Sequence, residues 1–334
     1  MNLIKVKATS ALKGVRLDKA LPQILQGVPR SSTVRRLASL SRSQLTRAVA
    51  IGAVKLNRKA LDKSYVIKGN ELFEVDLDIL QKILEVPIER RFAPEDIHFK
   101  FEVVYEDRWL LIGNKPAGVL VHPTPNTREP TLIDYLRLKR FPLANTQEPL
   151  KAGVVHRLDR GTSGLVIIAK DTRTHGELQK LFQARAVKKL YLALTVGGEV
   201  SEFGEIVTHL QRKRTRREFF RVSQVGKSAI TRFALIHSSP LMNFLVVRII
   251  TGRTHQIRVH LASRGQFVLN DMDYGKAINA ELRFFLKGQG DKTYRRVWSD
   301  TLPPEKRKSL WAILESCKGF FLHAYRLSFV HPRT

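Results

Sequence analysis

The pattern of apolar and polar positions predicts a small mixed module within residues 1–80. Two segments carry apolar side chains at helical spacing, and two short segments alternate as strands do. Ser41 or Ser43 would cap the second helix, and Gly52 would end it, because serine favours N-caps and glycine the left-handed stop. The helices begin at 16–21 and near 41–43, and the strands lie at 54–57 and 72–75.

The pattern changes near residue 100. Residues 81–100 contain Pro87 and Pro94 among charge pairs without clear periodicity, so we interpret them as a linker. After Phe101, apolar segments broken by turns predict mainly strands. Because strands outnumber helices and do not alternate with them regularly, the pattern favours an α+β fold over a doubly wound sheet. The predicted strands are 109–112, 119–121, 165–169, 191–196 and 244–250, and a helix at 172–185 would be capped by Thr172.

The excess of positive charge indicates that the chain binds a negatively charged partner. The chain has 334 residues, a net charge of +28 and a pI of about 10.5, which suits a polyanion, above all a nucleic acid. A membrane surface is the weaker alternative, since no apolar run approaches the roughly 18 residues of a spanning helix. Cys317 is the single cysteine, which excludes a disulfide framework and a cysteine-based zinc site. With no signal-peptide core, we expect a reducing, cytoplasmic setting.

The most informative segment surrounds Asp159, the only carboxylate between Glu148 and Asp171. His156, Arg157 and Arg160 flank it, and the apolar run 165–169 follows at once. Positive neighbours favour the ionised carboxylate, which would suit a nucleophile. A structural ion pair would have the same appearance, and from this segment alone the two interpretations are equally favoured.

A second cluster of charge lies at 212–221, where six cations interleave with Phe219 and Phe220. Cations bind RNA phosphates and aromatic rings stack on bases. A solvated loop is an equally good interpretation, because runs of charged residues usually lie in solvent-exposed loops. The cations are Arg212, Lys213, Arg214, Arg216, Arg217 and Arg221.

Two further residues add candidate chemistry. In segment 251–261, His255 and Arg258 would share a helix face, whereas the spacing of His255 and His260 is poor for two metal ligands on one face. Tyr191, taken alone, is better explained as core than as a functional residue. The chain contains no Walker loop, GxGxxG, HExxH or GxSxG, which argues against nucleotide-driven, redox, zinc-protease and serine-hydrolase chemistry.

These segments together resemble the RluA family of RNA pseudouridine synthases. The matching segments keep the family's order from about residue 100 to 332, and they cover nearly all of the second part of the chain. Residues 14–80 are more loosely similar to an S4 RNA-binding module. Segment 221–227 is similar to RluC-type enzymes, which carry S4 and modify large-subunit ribosomal RNA. The matching catalytic segments are 114–123, 156–159, 162–164, 189–191, 252–260 and 322–324.

The resemblance implies a role for each matching residue. Asp159 would be the nucleophile that attacks the target uridine, and Arg258 would pair with it and keep it ionised. Tyr191 would stack on the base and is also a candidate acceptor of the C5 proton. Arg157 would displace the flipped base, and Leu322 would form an apolar wall of the pocket. No cofactor and no metal would be needed, since the isomerisation has no net redox change.

The implied architecture is an S4-like domain at 1–80, a linker at 81–100 and a catalytic domain at 101–334 with a mixed, largely antiparallel sheet. Arg42, with Arg212, Arg214, Arg216 and Arg217, would contact RNA, and we expect a monomer. Segment 270–275 departs from the family pattern, as does Gly161, and we expect neither of them to contact the catalytic residues.

Three alternatives remain at this stage. The target could be a transfer RNA, or the chain could be a non-catalytic RNA-binding or ribosome-assembly protein, since S4 modules also serve there. A glycosidase would require a second carboxylate facing Asp159, and the motif around Asp159 supplies none.

Overall fold

The computed structural model describes eight stretches of the chain, which form two compact units. The smaller unit comprises Met1–Arg91 with Thr146–Pro149, and the larger comprises Phe92–Asn145 with Leu150–Thr334. Of the predicted linker, 81–91 lies outside the described residues, and 92–100 belongs to the larger unit. The predicted domain boundaries stay a prediction. The described residues are 3–26, 42–62, 64–80, 92–124, 127–146, 148–213, 219–287 and 302–334.

The smaller unit packs two helices against a sheet. Helix α1 buries Leu17, Leu21 and Leu25 at helical spacing, and they meet Phe73 and Val75 of the sheet in one apolar core. The strand order is β1-β4-β2-β3, and the pairings are antiparallel. The elements are β1 (Leu3–Lys7), α1 (Leu17–Gln26), α2 (Arg42–Ala50), β2 (Val54–Leu56), β3 (Lys59–Ala60) and β4 (Leu72–Asp76).

The larger unit is built on one extended sheet flanked by helices. Its strands are β5 (Glu102–Glu106), β6 (Leu110–Lys115), β7 (Ser163–Ala169), β8 (Lys188–Gly197), β9 (Phe203–Arg212), β10 (Phe220–Ser223), β11 (Lys227–Ser238), β12 (Asn243–Ile249), β13 (Gln266–Val268) and β14 (Leu322–Ser328). Its helices are α3 (Leu132–Leu138), α4 (Thr172–Gln183), α5 (Gln256–Ala262), α6 (Lys276–Leu286) and α7 (Pro304–Ser316).

The sheet confirms the predicted α+β class. Within the described residues it has ten strands in the order β10-β9-β11-β12-β8-β14-β7-β6-β5, with β13 pairing to β8. Neighbouring strands run antiparallel except β14 and β7, which are parallel. This parallel pair lies near the middle of the sheet, and it joins the C-terminal strand to the strand that follows Asp159.

Two local predictions were wrong. Helix α4 starts at Thr172, but its N-cap is Asp171, whose carboxylate accepts from the Thr174 N–H at 3.0 Å. Residues 119–121 are not a strand. The carbonyls of residues 120 and 121 instead accept hydrogen bonds from the N–H groups of Leu132 and Ile133. These are N–H groups of the first turn of α3, which have no partner within the helix.

None of the described helices has the length and apolar content that a membrane crossing requires.

The parallel pair depends on Gly164, which has a φ of +112°. A Cβ at this position would lie 2.4 Å from the carbonyl oxygen and 2.5 Å from the nitrogen of Ala324 on β14. Both atoms belong to the backbone and cannot rotate away. Glycine therefore allows β7 and β14 to approach each other, and this approach brings Leu322 beside the loop that carries Asp159.

We predict that Gly164→Ala lowers the free energy of unfolding of the larger unit by about 1–3 kcal/mol, through overpacking and backbone strain. Urea titration followed by tryptophan fluorescence measures it, because all three tryptophans belong to this unit. The matched control is Gly176→Ala in α4, where a Cβ meets no atom within 4 Å. It should stabilise by about 0.5–1 kcal/mol. Equal effects at both glycines would contradict the assignment.

Candidate active site

A cleft of about 540 Å³ gathers the predicted catalytic residues of the larger unit. Asp159, Tyr191, Arg258 and Leu322 all line it, together with Arg157. They come from the loop before β7, from β8, from α5 and from β14. The fold thus brings four separate segments of sequence to one cavity.

Asp159 lies on the wall of this cleft, with 19% of its side chain exposed. Its Oδ2 is 3.6 Å from Arg258 Nη1, and its Oδ1 is 3.9 Å from His255 Nε2. Its backbone carbonyl accepts the Thr162 N–H at 3.1 Å, which closes a turn before β7. The carboxylate is therefore largely enclosed, each of its oxygens has a nitrogen nearby, and the exposed part faces the cleft.

Arg258 is held chiefly by acids other than Asp159. Its Nε and Nη2 donate to Asp271 at 2.7 and 2.8 Å, and Nη2 also donates to Asp273 at 2.5 Å. The ring centroids of Phe320 and Tyr274 lie 4.3 and 4.8 Å from its guanidinium carbon. Burial opposes the charge, but the hydrogen bonds and charge of Asp271 outweigh it and raise the pKa of Arg258.

This finding corrects the sequence analysis on segment 270–275. The segment departs from the family pattern and was expected to lie clear of the catalytic residues, yet Asp271 and Asp273 bind Arg258 directly. The contact of Arg258 with Asp159 is present, but it is longer than the bidentate pair with Asp271. Spacing along the chain carried no signal for these partners, because they lie beyond the end of α5.

Tyr191 lies on β8 with its ring in the larger apolar core, next to Val247 and Ala324 on the flanking strands. It is 7% exposed. Burial, and to a smaller extent the negative charge of Asp159, raise the pKa of the Tyr191 hydroxyl well above its ordinary value. The phenol is therefore neutral at physiological pH.

Lys115, at the end of β6, is a buried cation that sequence analysis did not single out. Its Nζ donates to the carbonyls of Pro116 and Val119, each at 2.8 Å, and to that of Arg160 at 3.3 Å. Burial lowers the pKa of Lys115 to about 7, although the charge of Asp159 acts in the opposite direction. The side chain ties the turn after β6 to the residue that follows Asp159.

The start of α5 is anchored to the sheet by Gln256. Its amide donates to the Ile230 carbonyl at 3.0 Å and to the Thr231 hydroxyl at 2.9 Å. Its Oε1 accepts from the Thr251 hydroxyl at 2.8 Å and from the Arg253 N–H at 3.0 Å. This anchored turn sets where the first residues of α5 meet Asp159.

The predicted RNA-binding residues are only partly placed. Arg157 is exposed at the cleft, and the Arg212 guanidinium lies 5.4 Å from the ring centroid of Phe220. Arg42 is the first residue of α2, but its side chain lies outside the described residues. Three further predicted residues also lie outside them: Arg214, Arg216 and Arg217.

Among the described residues, no group of three or more His, Cys, Asp or Glu side chains is arranged to hold a metal ion.

Comparison with known proteins identifies the class to which this fold and cleft belong. A sequence profile described as RNA pseudouridylate synthase matches residues 109–263, which contain Asp159, Tyr191 and Arg258. Ribosomal large subunit pseudouridine synthase D of Zymomonas mobilis subsp. mobilis is 32% identical over 98% of this chain and 90% of its own length. The chain therefore belongs to the RluA family of RNA pseudouridine synthases.

A second curated relative has the same printed name. The enzyme of the same name from Xanthomonas campestris pv. campestris is 33% identical over 95% of this chain and 87% of its own. Among solved structures, Human RNA Pseudouridylate Synthase Domain Containing 1 is 22% identical, covers 68% of this chain and 78% of its own, and has a TM-score of 0.48.

We predict that Asp271→Ala lowers the free energy of unfolding by about 3–5 kcal/mol, because it leaves the buried Arg258 charge without its bidentate partner. Tryptophan-monitored urea unfolding measures the change. Asp273→Ala is the control, since Asp273 is 48% exposed and its loss should cost no more than about 1 kcal/mol. Similar losses for the two variants would show that the Asp271 pair does not dominate.

Proposed function

We propose that this pseudouridine synthase isomerises specific uridines in large-subunit ribosomal RNA, with Asp159 as the nucleophile. The observation that carries the proposal is the cleft in which Asp159 faces Arg258 and lies beside Tyr191. The relatives' printed name supports the ribosomal substrate. The RluC-type motif at 221–227 supports a large-subunit target, although the relatives cited carry the designation D.

For this reaction the protein has to supply a nucleophile and a pocket that holds the uracil base. The bond between the ribose C1′ and N1 of uracil breaks, the base rotates, and a bond forms between C1′ and C5. The C5 proton leaves and N1 gains one, so atoms and electrons balance without a cofactor. Asp159 would open this sequence by attacking the nucleotide and would be released at its end.

Arg258 and Tyr191 supply the surroundings for that step. Arg258 Nη1 lies 3.6 Å from Oδ2 and places a positive charge beside the proposed nucleophile. Because the Tyr191 phenol is neutral, a stacking role for its ring is favoured over proton abstraction by a phenolate. This supports base stacking as the principal role of Tyr191.

The cleft suits one flipped nucleotide. Its volume of about 540 Å³ falls within the range of small-molecule pockets, roughly 300–1,000 Å³. Extracting a base from its stack costs roughly a few kcal/mol. Leu322, which is 3% exposed, offers an apolar wall, and the exposed Arg157 is available to take the place of the base in the RNA helix.

The remaining parts of the chain fit RNA as the partner. We propose that the smaller unit acts as the S4-like RNA-binding module, because residues 1–80 carry nine more cations than acids. The run at 212–221 would bind phosphates beside the cleft, since Phe220, the first residue of β10, and His255, at the start of α5, both contact the Tyr274 hydroxyl. The cytoplasmic setting and the monomeric state stay predictions.

We predict that Asp159→Ala abolishes pseudouridine formation, with a loss of at least about 1,000-fold, because the nucleophile is removed while binding groups remain. Pseudouridines in ribosomal RNA incubated with the protein are mapped by carbodiimide-blocked primer extension. Glu205→Gln, an acid in an exposed ion pair with Arg232, is the control and should keep full activity. Activity that survives Asp159→Ala would end the assignment.

We predict that replacing Arg212, Arg214, Arg216 and Arg217 by Ala flattens the salt dependence of RNA binding. Four lost phosphate contacts should reduce the slope of log K against log salt concentration by about 3. Titrations at several salt concentrations give the slope. The control is Arg248→Ala with Arg326→Ala, two exposed arginines outside this run. An unchanged slope in the quadruple variant would identify the run as a solvated loop.

A further inference from the structure

His255 combines three features that its place in the sequence does not explain. It is the N-cap of α5 and has φ 55° and ψ 19°, a left-handed conformation that is uncommon outside glycine and that histidine adopts more often than most other residues do. Its Nδ1 is 2.9 Å from the Tyr274 hydroxyl, and its Nε2 is 3.9 Å from Asp159 Oδ1. Uncommon backbone conformations persist where the surroundings fix them, and they concentrate at functional sites.

The hydrogen bonds of Tyr274 favour one tautomer of His255. The Phe220 N–H can only donate, and it lies 2.9 Å from the Tyr274 oxygen, so that oxygen accepts. The hydroxyl proton of Tyr274 is then available to His255 Nδ1. A neutral imidazole that accepts at Nδ1 carries its proton on Nε2, which is the nitrogen that faces Asp159.

The surrounding charges agree with a neutral ring. Burial is the largest influence and lowers the pKa of His255, and the charge of Arg258 acts in the same direction. The carboxylates of Asp159, Asp273 and Asp271 act in the opposite direction and do not outweigh burial. At neutral pH the imidazole is therefore a hydrogen-bond donor rather than a cation.

We propose that His255 is a positioning residue for Asp159, presenting Nε2–H to Oδ1 while Arg258 faces Oδ2, with Tyr274 holding the imidazole in that tautomer. The inference rests on the proposed role of Asp159 as the nucleophile. Two donors on different oxygens fix the plane of the carboxylate, which one arginine contact at 3.6 Å does not. Contacts that are long in a free enzyme shorten when substrate closes the site, so 3.9 Å is compatible with this role.

The same arrangement links the RNA-binding run to the nucleophile. Phe220 follows the cations of 212–217 and donates to Tyr274, which orients His255. Tyr274 also stacks on Arg258 with its ring. Tyr274→Phe therefore removes the hydroxyl that contacts both His255 and the Phe220 N–H, while it retains the aromatic contact with Arg258.

The tautomer can be measured without RNA. In protein labelled with ¹⁵N in its histidine rings, two-bond correlation spectra distinguish a protonated from an unprotonated ring nitrogen, and the resonances missing from a His255 variant assign the residue. We expect Nε2–H in the wild type and a mixture of tautomers in Tyr274→Phe. His156 is the internal reference for the opposite tautomer, because its Nε2 accepts the Ile167 N–H at 2.9 Å and burial lowers its pKa to about 3. A wild-type His255 protonated on Nδ1 would overturn the proposal.

Two substitutions then separate positioning from mere packing. In His255→Gln the amide nitrogen can take the place of Nε2, whereas in His255→Asn the amide reaches only the place of Nδ1, although Asn tolerates the left-handed backbone better. We expect His255→Gln to keep most of the wild-type kcat and His255→Asn to lose about 10- to 100-fold in kcat with little change in KM. Equal losses, or better retention by His255→Asn, would overturn the role.

The two proposals fail in different ways. If the wild-type chain modifies no ribosomal RNA, the proposed function fails, while the tautomer result is unaffected because it is measured without RNA. If the wild type is active and the ring of His255 carries its proton on Nδ1, the positioning role fails and the proposed function stands.

Discussion

The buried charge of Arg258 is the constraint on which the site depends. A guanidinium with only 3% of its side chain exposed must have acids within hydrogen-bond distance, because an isolated buried charge is very costly. Asp271 meets that need with a bidentate pair, and Asp273 adds a second acceptor. The ring centroids of Phe320 and Tyr274 also lie 4.3 and 4.8 Å from its guanidinium carbon. Arg258 is thereby fixed before any substrate arrives, and its remaining nitrogen, Nη1, faces Asp159.

The carboxylates of Asp271 and Asp159 therefore differ in role: Asp271 neutralises the buried charge of Arg258, and Asp159 contacts it at a longer distance. Asp271 is 1% exposed and neutralises Arg258, so Asp159 does not have to serve as the principal counter-ion. Asp159 lies at a longer distance and keeps one side open to the cleft. In the nucleophilic role proposed for Asp159, a short bidentate pair would have to break before the carboxylate could react. The longer contact supplies positive charge to the carboxylate without that cost.

The sheet gives these groups a rigid frame. Side chains on a strand alternate between the two faces, so Tyr191 on β8 and Ile249 on β12 reach the cleft while Arg248 points away from it. The parallel pairing of β7 with β14, made possible by Gly164, places Leu322 opposite Ala193 and close to the loop of Asp159. Lys115, at the end of β6, connects this sheet to the loop of Asp159 by donating a hydrogen bond to the carbonyl of Arg160. Tyr191, Ile249 and Leu322 belong to packed strands, and the Lys115 contact ties the loop of Asp159 to those strands.

Local patterns in the sequence located part of the secondary structure of this protein. Apolar periodicity located α4, β8 and β12, because the spacing of apolar residues along a segment follows the face that the segment buries. The isolated carboxylate at 159 and the family resemblance pointed to the residues that line the cleft.

Only the tertiary structure decided which groups surround them. The fold brings three further residues to the site: Asp271, Tyr274 and Lys115. Their contacts join segments whose separation along the sequence carries no periodic signal. Periodicity reports which face of an element is buried, whereas an ion pair depends on where two elements meet, and that is set by packing and strand order.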